Sequence, residues 1–490
     1  MPLTEPQVSE LRALLGESGV LVSEPALFTY ESDALSLEKH LPDVVVFPRS
    51  TDEVCAVVRW ARTHRLPVTP RGAGTGLAGG ATCEQGGVSL SLNRMDQVLS
   101  VDAECHFAWV QPGVVNLALS KHTHPLGLHF APDPASQQVS TLGGNAATNA
   151  GGPHCLKHGV MVNHVLALRV VLENGVAVTL GGEGLDEPAS DLLSAIVGSE
   201  GTTAIVTELC VRLMPDAEAV ETLLLDFASV ADACDTVSRV IAVGIVPAAM
   251  EIMDRHTVGM VEAWLGLGLP TDAAAVLLLE VDGPAIALPS QVERIRAIAA
   301  AHRVGGIRVA RDAAERLALW KGRKSAFGAY GRARKGFYIM DGVVPRTRLA
   351  EALDRLYAMA AAHGLEAGNV FHAGDGNLHP HVMFDPANER EQHAALEVSH
   401  DILRMCIEMG GTISGEHGVG IEKRPMMSEL FAPDDLAIME RVRAAFDPER
   451  RLNPGKILPG GGGCGEVRTR ASFERIAAMA LKPDAEGPWI

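Results

Sequence analysis

Two hydrophobic rhythms alternate along the chain, one near 3.6 residues and one near 2. Val8, Leu11 and Leu15 mark a first helical stripe. Asp43-Val-Val-Val-Phe-Pro48 reads as a short strand. Thr51 then caps a helix over TDEVCAVVRWARTHR, with Val54, Val57, Val58 and Ala61 on one face. Leu66–Pro70, Val88–Leu92 and His106–Val110 read as strands. Two further runs, Val165–Val171 and Ala177–Leu180, flank Glu173-Asn174-Gly175, a hairpin signature. Ala204–Val211 closes the first half as a strand.

After Pro215 an acidic stretch, DAEAVE, marks a domain boundary. Strands at Glu221–Phe227 and Ala275–Val281 then alternate with helices at Asp232–Val243 and Ser290–His302. The expected class is α+β, with an antiparallel sheet covered by helices in the second half. From Gly460 the chain becomes GGGGCG and then a polar tail with one helical stretch, ASFERIAAMA. The expected division is a helical segment over 1–37, a first domain over 38–217, a second over 218–458 and an appended linker and tail over 459–490.

Candidate chemistry begins at PRGAGTGLAGG, residues 70–80, where Gly74-Thr75-Gly76-Leu77-Ala78-Gly79 matches the G-x-G-x-x-G pattern. A nicotinamide-binding turn needs a helix opening directly from those glycines, because the helix N-terminus faces the pyrophosphate. The residues after Gly80 lack helical period and lead into the strand at Val88, so that reading fails. What survives is a backbone free of side chains that can converge on an anion, with Arg71 and Thr75 as added donors. Taken alone, a loop of this kind is equally a plain connection between strands. A second glycine-rich loop, Leu142-Gly-Gly-Asn-Ala-Ala-Thr-Asn-Ala-Gly-Gly152, repeats the chemistry, and two such loops favour a large phosphate-bearing cofactor.

A different chemistry gathers in NVFHAGDGNLHPH, residues 369–381, and GTISGEHGVG, residues 411–420. His372, His379 and Glu416 are two imidazoles and a carboxylate, a donor set suited to Zn²⁺ or Mn²⁺ with a position left open. Polar loop histidines are common, however, and a spacing of seven fits no helical metal motif. His417 is a spare imidazole, His381 a weaker candidate for either role, and Asp375 fits a cap on the Gly-Asp-Gly turn. In LWKGRKSAF, residues 319–327, the basic cluster reads either as a solvated helix face or as a carboxylate clamp built on Arg323.

Composition narrows the classes. Forty-two basic against sixty acidic side chains give a net charge of −18, which argues against a nucleic-acid partner. The eight cysteines contain no Cys-x-x-Cys pair, so the expectation is scattered, reduced, mostly buried thiols and no cysteine-held cluster. The N-terminus carries Glu5, Glu10 and Glu17 and lacks the basic, apolar character of a signal peptide, and no run reaches the ~18 apolar residues of a membrane span. The expected location is cytoplasmic, with docking at a membrane only through partners.

Taken in order, PRGAGTGL, APDPAS at 131–136, GGNAATNAGG, GSEGTTAIVTE at 198–208 and LNPGK at 452–456 resemble the FAD-linked oxidase family. Its flavin domain is the one shared with vanillyl-alcohol oxidase and p-cresol methylhydroxylase. The resemblance runs from about residue 38 to 458. It implies that Arg71, Gly72, Ala73, Gly74, Thr75, Gly76 and Leu77 hold the FAD pyrophosphate. It further implies that Pro134, Ser136, Thr141, Gly143, Gly144, Ala147, Asn149, Gly152, Gly201, Ile205, Val206 and Asn453 line the cofactor. Thr203-Ala204 stands where relatives usually have Leu-Gly. In the second half, the resemblance makes His372, His379 and Glu416 metal ligands, His417 the base and Arg323 the substrate clamp.

WKGRKSAF with FYIMDG is especially like the FAD-linked subunit of bacterial glycolate oxidase. Relatives acting on D-2-hydroxyglutarate carry a threonine near Phe327 and a lysine near Ile339, and both places are apolar here. The implied activity is oxidation of a small D-2-hydroxy acid, glycolate or D-lactate. Its electrons would pass to a second flavin-type subunit and an iron–sulfur subunit, or to a quinone. A D-lactate dehydrogenase acting alone is the runner-up within this chemistry, and a metal-dependent hydrolase using His372, His379 and Glu416, and a flavin-binding scaffold without catalysis, are the rival readings from other classes.

Overall fold

Three consecutive valines, Val44–Val46, are all buried, and their stiff β-branched side chains favour an extended chain. In this computed structural model, which describes residues 3–184 and 192–459, that strand anchors a four-stranded sheet. It pairs in parallel with Val88–Ser91, which pairs in parallel with Val68–Arg71. The connection from Arg71 to Val88 contains no helix, in keeping with the rejection of a nicotinamide turn. The helix Thr51–Thr63 buries Val54, Val57, Val58 and Ala61 against this sheet. Its cap is Ser50, not Thr51: the Glu53 amide donates to Ser50 Oγ at 3.2 Å, and Thr51 is the first helical residue.

The first 37 residues are not a purely helical segment. After the helix Glu5–Leu15, Val20–Leu21 adds to the sheet antiparallel to Val44–Val46, and Leu11 and Val20 share its core. A two-residue strand is too short to leave a period in sequence. The second sheet runs Val98–Asp102, Phe107–Val110, Ile205–Arg212, Val165–Val171, Ala177–Gly181, antiparallel throughout. The stretch GGNAATNAGG is not simply a loop. Thr141 caps a short helix, Leu142–Thr148, which ends where Asn149 takes a left-handed φ of 53°. Burial of Leu142 and Ala146 in the core overrides the low helix propensity of Gly and Asn. Ala204 keeps a negative φ, so the turn leading to it does not need the glycine that relatives carry there.

The second half forms an antiparallel sheet whose centre is Ala219–Phe227, Ala275–Gly283, Ala249–Asp254 and Glu366–His372. Side chains alternate between its faces. Leu223, Leu225, Leu277, Leu279 and Ile252 face one core, covered by the helices Val230–Ala242, Leu288–Ala301, Leu349–Ala362 and Glu389–Glu408. Leu224, Val276, Leu278 and Met253 face the other, covered by Arg255–Leu265, Ala313–Lys324 and Ala326–Ala333. Thr222, Glu251 and Glu280 fall on that second face by the same period, and it is the face turned toward the first half of the chain.

Polar contacts join the halves there. Glu280 accepts from Thr222 Oγ1 at 2.5 Å, from Trp320 Nε1 at 2.7 Å and from Arg316 at 2.8 Å. His154 lies 3.0 Å from Asp133 and 3.6 Å from Glu280, and Lys324 lies 3.4 Å from Asp133. Burial alone would lower the His154 pKa, but Asp133 and then Glu280 hold it at about 10, while Asp133 sits at about 2. Against an ordinary histidine at 6.5, the imidazolium stabilises the fold fully below that pH, and the contribution is lost as pH rises through about 10. Asp133 contributes above 3.8 and loses its contribution as pH falls through about 2. The thermal midpoint is therefore expected to fall by several degrees between pH 6.5 and 10, and His154→Gln is expected to flatten that decline. An unaltered slope in the variant would remove the assignment.

Among the described residues no helix is long and apolar enough to cross a membrane. Cys55, Cys83, Cys210, Cys234 and Cys406 are free and buried, whereas Cys105 is exposed. The tail helix expected at ASFERIAAMA and Cys464 lie outside the described residues.

Candidate active site

A cavity of about 1150 Å³ opens between the glycine-bearing loops of the first half and the polar face of the large sheet. Residues 71–77, Pro134, Ser136, Thr141, Gly143, Gly144, Ala147, Gly201 and Val206 line it. Four others lie elsewhere. Ile205 is fully buried in the strand core, and Asn149 Oδ1 accepts from the Val162 amide. Gly152 has φ +142, and a Cβ there would sit 2.4 Å from Asp133 O. Asn453 donates from Nδ2 to Gly80 O at 2.7 Å and Glu200 O at 2.6 Å, tying two cavity loops together.

The glycine end has the form of a dinucleotide cradle. A Cβ on Gly72 would lie 2.4 Å from Thr141 Oγ1, so the two loops approach as closely as backbone allows. Arg71 is buried, lies against the 72–74 turn and leaves Nη1 without a protein partner. Such a volume exceeds that of most single-ligand pockets and accommodates a dinucleotide beside a small acid.

At the other end stand the second-half candidates. Glu366–His372 delivers His372 from its last residue, and His379 follows the short strand Asn377–Leu378. His372 Nε2 lies 3.1 Å and His379 Nε2 3.4 Å from Glu416 Oε1. Donor atoms of these three residues all fall within 4.8 Å of one another. His379 Nε2 and Glu416 Oε2 are buried without a hydrogen-bond partner, and with His372 Nε2 they make a donor set that could hold a divalent cation. His417 stacks on His379 with ring centroids 5.1 Å apart. Burial lowers the His417 pKa to about 4, so the ring is neutral. His381 is also held neutral by burial, stacks on Tyr330 at 4.1 Å and reaches the same cavity. Asp375 serves its turn, accepting from the Asn377 amide at 3.2 Å.

Arg323 is buried near the C-terminal end of Ala313–Lys324 and lines the cavity, so the basic cluster is not simply a solvated face. Its Nε donates to Glu251 Oε2 at 2.6 Å, and Nη2 lies 2.5 Å from the same oxygen. Nη1 takes no part in the contact with Glu251. The other Glu251 oxygen lies 2.7 Å from His372 Nδ1, which fixes the ring so that Nε2 points toward Glu416. Burial raises the Glu251 pKa, but Arg323 and His372 together bring it below the ordinary value.

Asp341 is the second residue that motif reading passed over. It accepts from Ser414 Oγ and from the amides of Gly415, Glu416 and His417, and pairs with the fully buried Lys423 at 3.0 Å. Burial opposes its ionisation, yet Lys423 and His417 hold it well below the usual carboxylate range. The only sequence signal for Glu251, Glu280 and Asp341 is an acid inside an apolar run, AMEIM, LLLEV and YIMDG. A buried charge in such a run requires a partner.

The cavity is dinucleotide-sized and brings a guanidinium, four imidazoles and a carboxylate to its far end, and the family matches set the class as a two-domain flavin oxidoreductase. Residues 42–181 match the family described as "FAD binding domain", and residues 216–457 match "FAD linked oxidases, C-terminal domain". The chain belongs to the FAD-linked oxidase family. It is 42% identical over 440 residues to "Glycolate oxidase subunit GlcD" of Escherichia coli, covering 90% of this chain and 88% of the relative. It is 32% identical over 457 residues to "Probable D-lactate dehydrogenase, mitochondrial" of Danio rerio, covering 92% and 91%. The fold is that of p-cresol methylhydroxylase, with a TM-score of 0.80 at 18% identity over 95% of this chain and all of that one. The protein is a FAD-linked oxidoreductase.

Proposed function

We propose that the substrate is a small D-2-hydroxy monocarboxylate, glycolate or D-lactate, converted to the 2-oxo acid. The observation that carries this reading is the placement of Arg323 and the His372–His379–Glu416–His417 group at one end of the cavity that the glycine loops enclose. Arg323 binds the carboxylate through the Nη1 edge, which takes no part in the Glu251 contact. Phe327 and Ile339 complete the wall, and neither offers a partner to a second carboxylate. His417, neutral and adjacent to the acidic Glu416, takes the hydroxyl proton. Bound FAD supplies the hydride acceptor. His372, His379 and Glu416 fit a divalent cation, Zn²⁺ or Mn²⁺, which would supply Lewis acidity toward the hydroxyl. Electrons then pass to a second flavin-type subunit with an iron–sulfur subunit, or to a quinone; the name of the Escherichia coli relative, a subunit, supports the partner route.

Anaerobic mixing with four acids tests the reading. Glycolate and D-lactate are expected to bleach the flavin, and D-2-hydroxyglutarate and L-lactate to leave it oxidised. Flavin bleached only by L-lactate, or by none of the four, overturns the substrate assignment. Prolonged dialysis against a chelator is expected to abolish bleaching, with Zn²⁺ or Mn²⁺ restoring it; full activity in metal-free protein removes the cation.

A further inference from the structure

We infer that Glu200 is a positioning residue that couples the dinucleotide loops to the placement of His417, an inference that rests on the hydroxy-acid reading above. The segment 414–422 is held from two sides. Asp341, in the second half, accepts from Ser414, Gly415, Glu416 and His417. Two residues further on, the holder belongs to the first half. Glu200 Oε1 accepts from the Val419 amide at 2.6 Å and the Gly420 amide at 3.1 Å, and its Oε2 accepts from Gly420 at 2.9 Å. Ala78 O accepts from the amides of Ile421 at 2.8 Å and Glu422 at 3.2 Å.

Glu200 and Ala78 both line the dinucleotide cavity, one from the turn Gly198–Gly201 and the other from the loop after Arg71. The fit leaves little slack. A Cβ on Gly418 would stand 2.8 Å from Glu200 Oε1, and one on Gly420 1.9 Å from Ala78 O. Glu200 itself holds a left-handed φ of 52° between Gly198 and Gly201, a conformation uncommon for residues that carry a Cβ. Its carboxylate is buried, and its backbone oxygen is held by Asn453.

His417 therefore sits between an anchor in each half. A cofactor that orders the 72–80 and 198–201 loops also fixes the amides that follow His417. Because such coupling is reciprocal, ordering of the 414–422 segment strengthens the dinucleotide site in return. Glu200 touches neither the Arg323 edge nor the metal-type donors, so its loss misplaces His417 without weakening substrate capture.

The test uses FAD-loaded wild type, Glu200→Ala and Glu200→Gln, with anaerobic bleaching by D-lactate expressed per bound flavin. Glu200→Ala is expected to lower the limiting rate by roughly thirtyfold, in the range that small misplacements cost, while half-saturating D-lactate changes little. Glu200→Gln keeps one acceptor oxygen and is expected to recover most of that rate. A wild-type rate per flavin in Glu200→Ala, or activity lost only in proportion to lost FAD, overturns the inference. Should Glu200→Ala not fold, hydrogen exchange on wild type decides: amides 418–422 are expected to exchange faster in protein stripped of FAD, and identical exchange overturns the coupling. Wild type that D-lactate and glycolate both fail to bleach sinks the substrate reading instead, a distinguishable failure.

Discussion

Glu251→Ala is expected to reduce kcat/KM per bound flavin by about a thousandfold, with the flavin still bound. One carboxylate orients both ends of the reaction centre: Arg323 through one oxygen and His372 through the other. Removing it frees the guanidinium to turn from the cavity and lets the His372 ring rotate. Displacements of about 1 Å at a reacting centre cost on the order of a hundredfold, and here two groups move together. Stability falls as well, because Arg323 is left buried without its counter-ion; breaking a buried pair from one side costs about 3–5 kcal/mol. Glu251→Gln keeps the shape and one acceptor, and is expected to retain more activity than the alanine variant. Steady-state kinetics normalised to flavin absorbance, with thermal melts, check both effects. Normal kcat/KM in Glu251→Ala would show that Arg323 and His372 are positioned by other contacts.

Glu251 leaves little local trace in the sequence. Periodicity identified the strands because burial on both faces writes long apolar runs such as Ala275–Val281, and those are local. The glycine loops and the HAGDGN and GEHG segments were legible because several chemistry-bearing residues lie next to one another. Glu251 and Asp341 are single acids whose hydrogen-bonded partners include residues 72 and 121, and 73 and 82, positions away. Only the sheet register brings Glu251 opposite His372, and no local pattern records that pairing. The same limit separates Thr141, which reaches the cavity, from Ile205 and Asn453, which sit within cofactor motifs yet serve packing and loop ties. Motif membership marks a segment; the direction of each side chain is settled by backbone geometry and by what packs behind it.

The short helix Leu142–Thr148 shows a tertiary override of another kind. Its composition disfavours helix, but a Thr cap at one end and a left-handed Asn at the other enclose two turns that burial then stabilises. Here local signals for the ends were present and the interior misled.

His417→Ala is expected to lower kcat by about a thousandfold, within the range ascribed to a positioned proton acceptor, while KM for D-lactate stays within a few-fold. The split follows from the geometry. Arg323 and the two imidazole–carboxylate donors remain to bind the acid, whereas the neutral ring stacked on His379 is gone. The His417 backbone amide donates to Asp341 at 2.8 Å, a bond that alanine preserves, so the segment should hold its place. FAD content and metal content are expected to match wild type, which separates loss of a proton acceptor from loss of a ligand. Added imidazole should restore part of the rate by entering the vacated space. A KM that rises in step with the fall in kcat/KM, or a kcat left unchanged, would assign the proton to His381 or to another group, since His381 is a second imidazole held neutral on the same cavity wall.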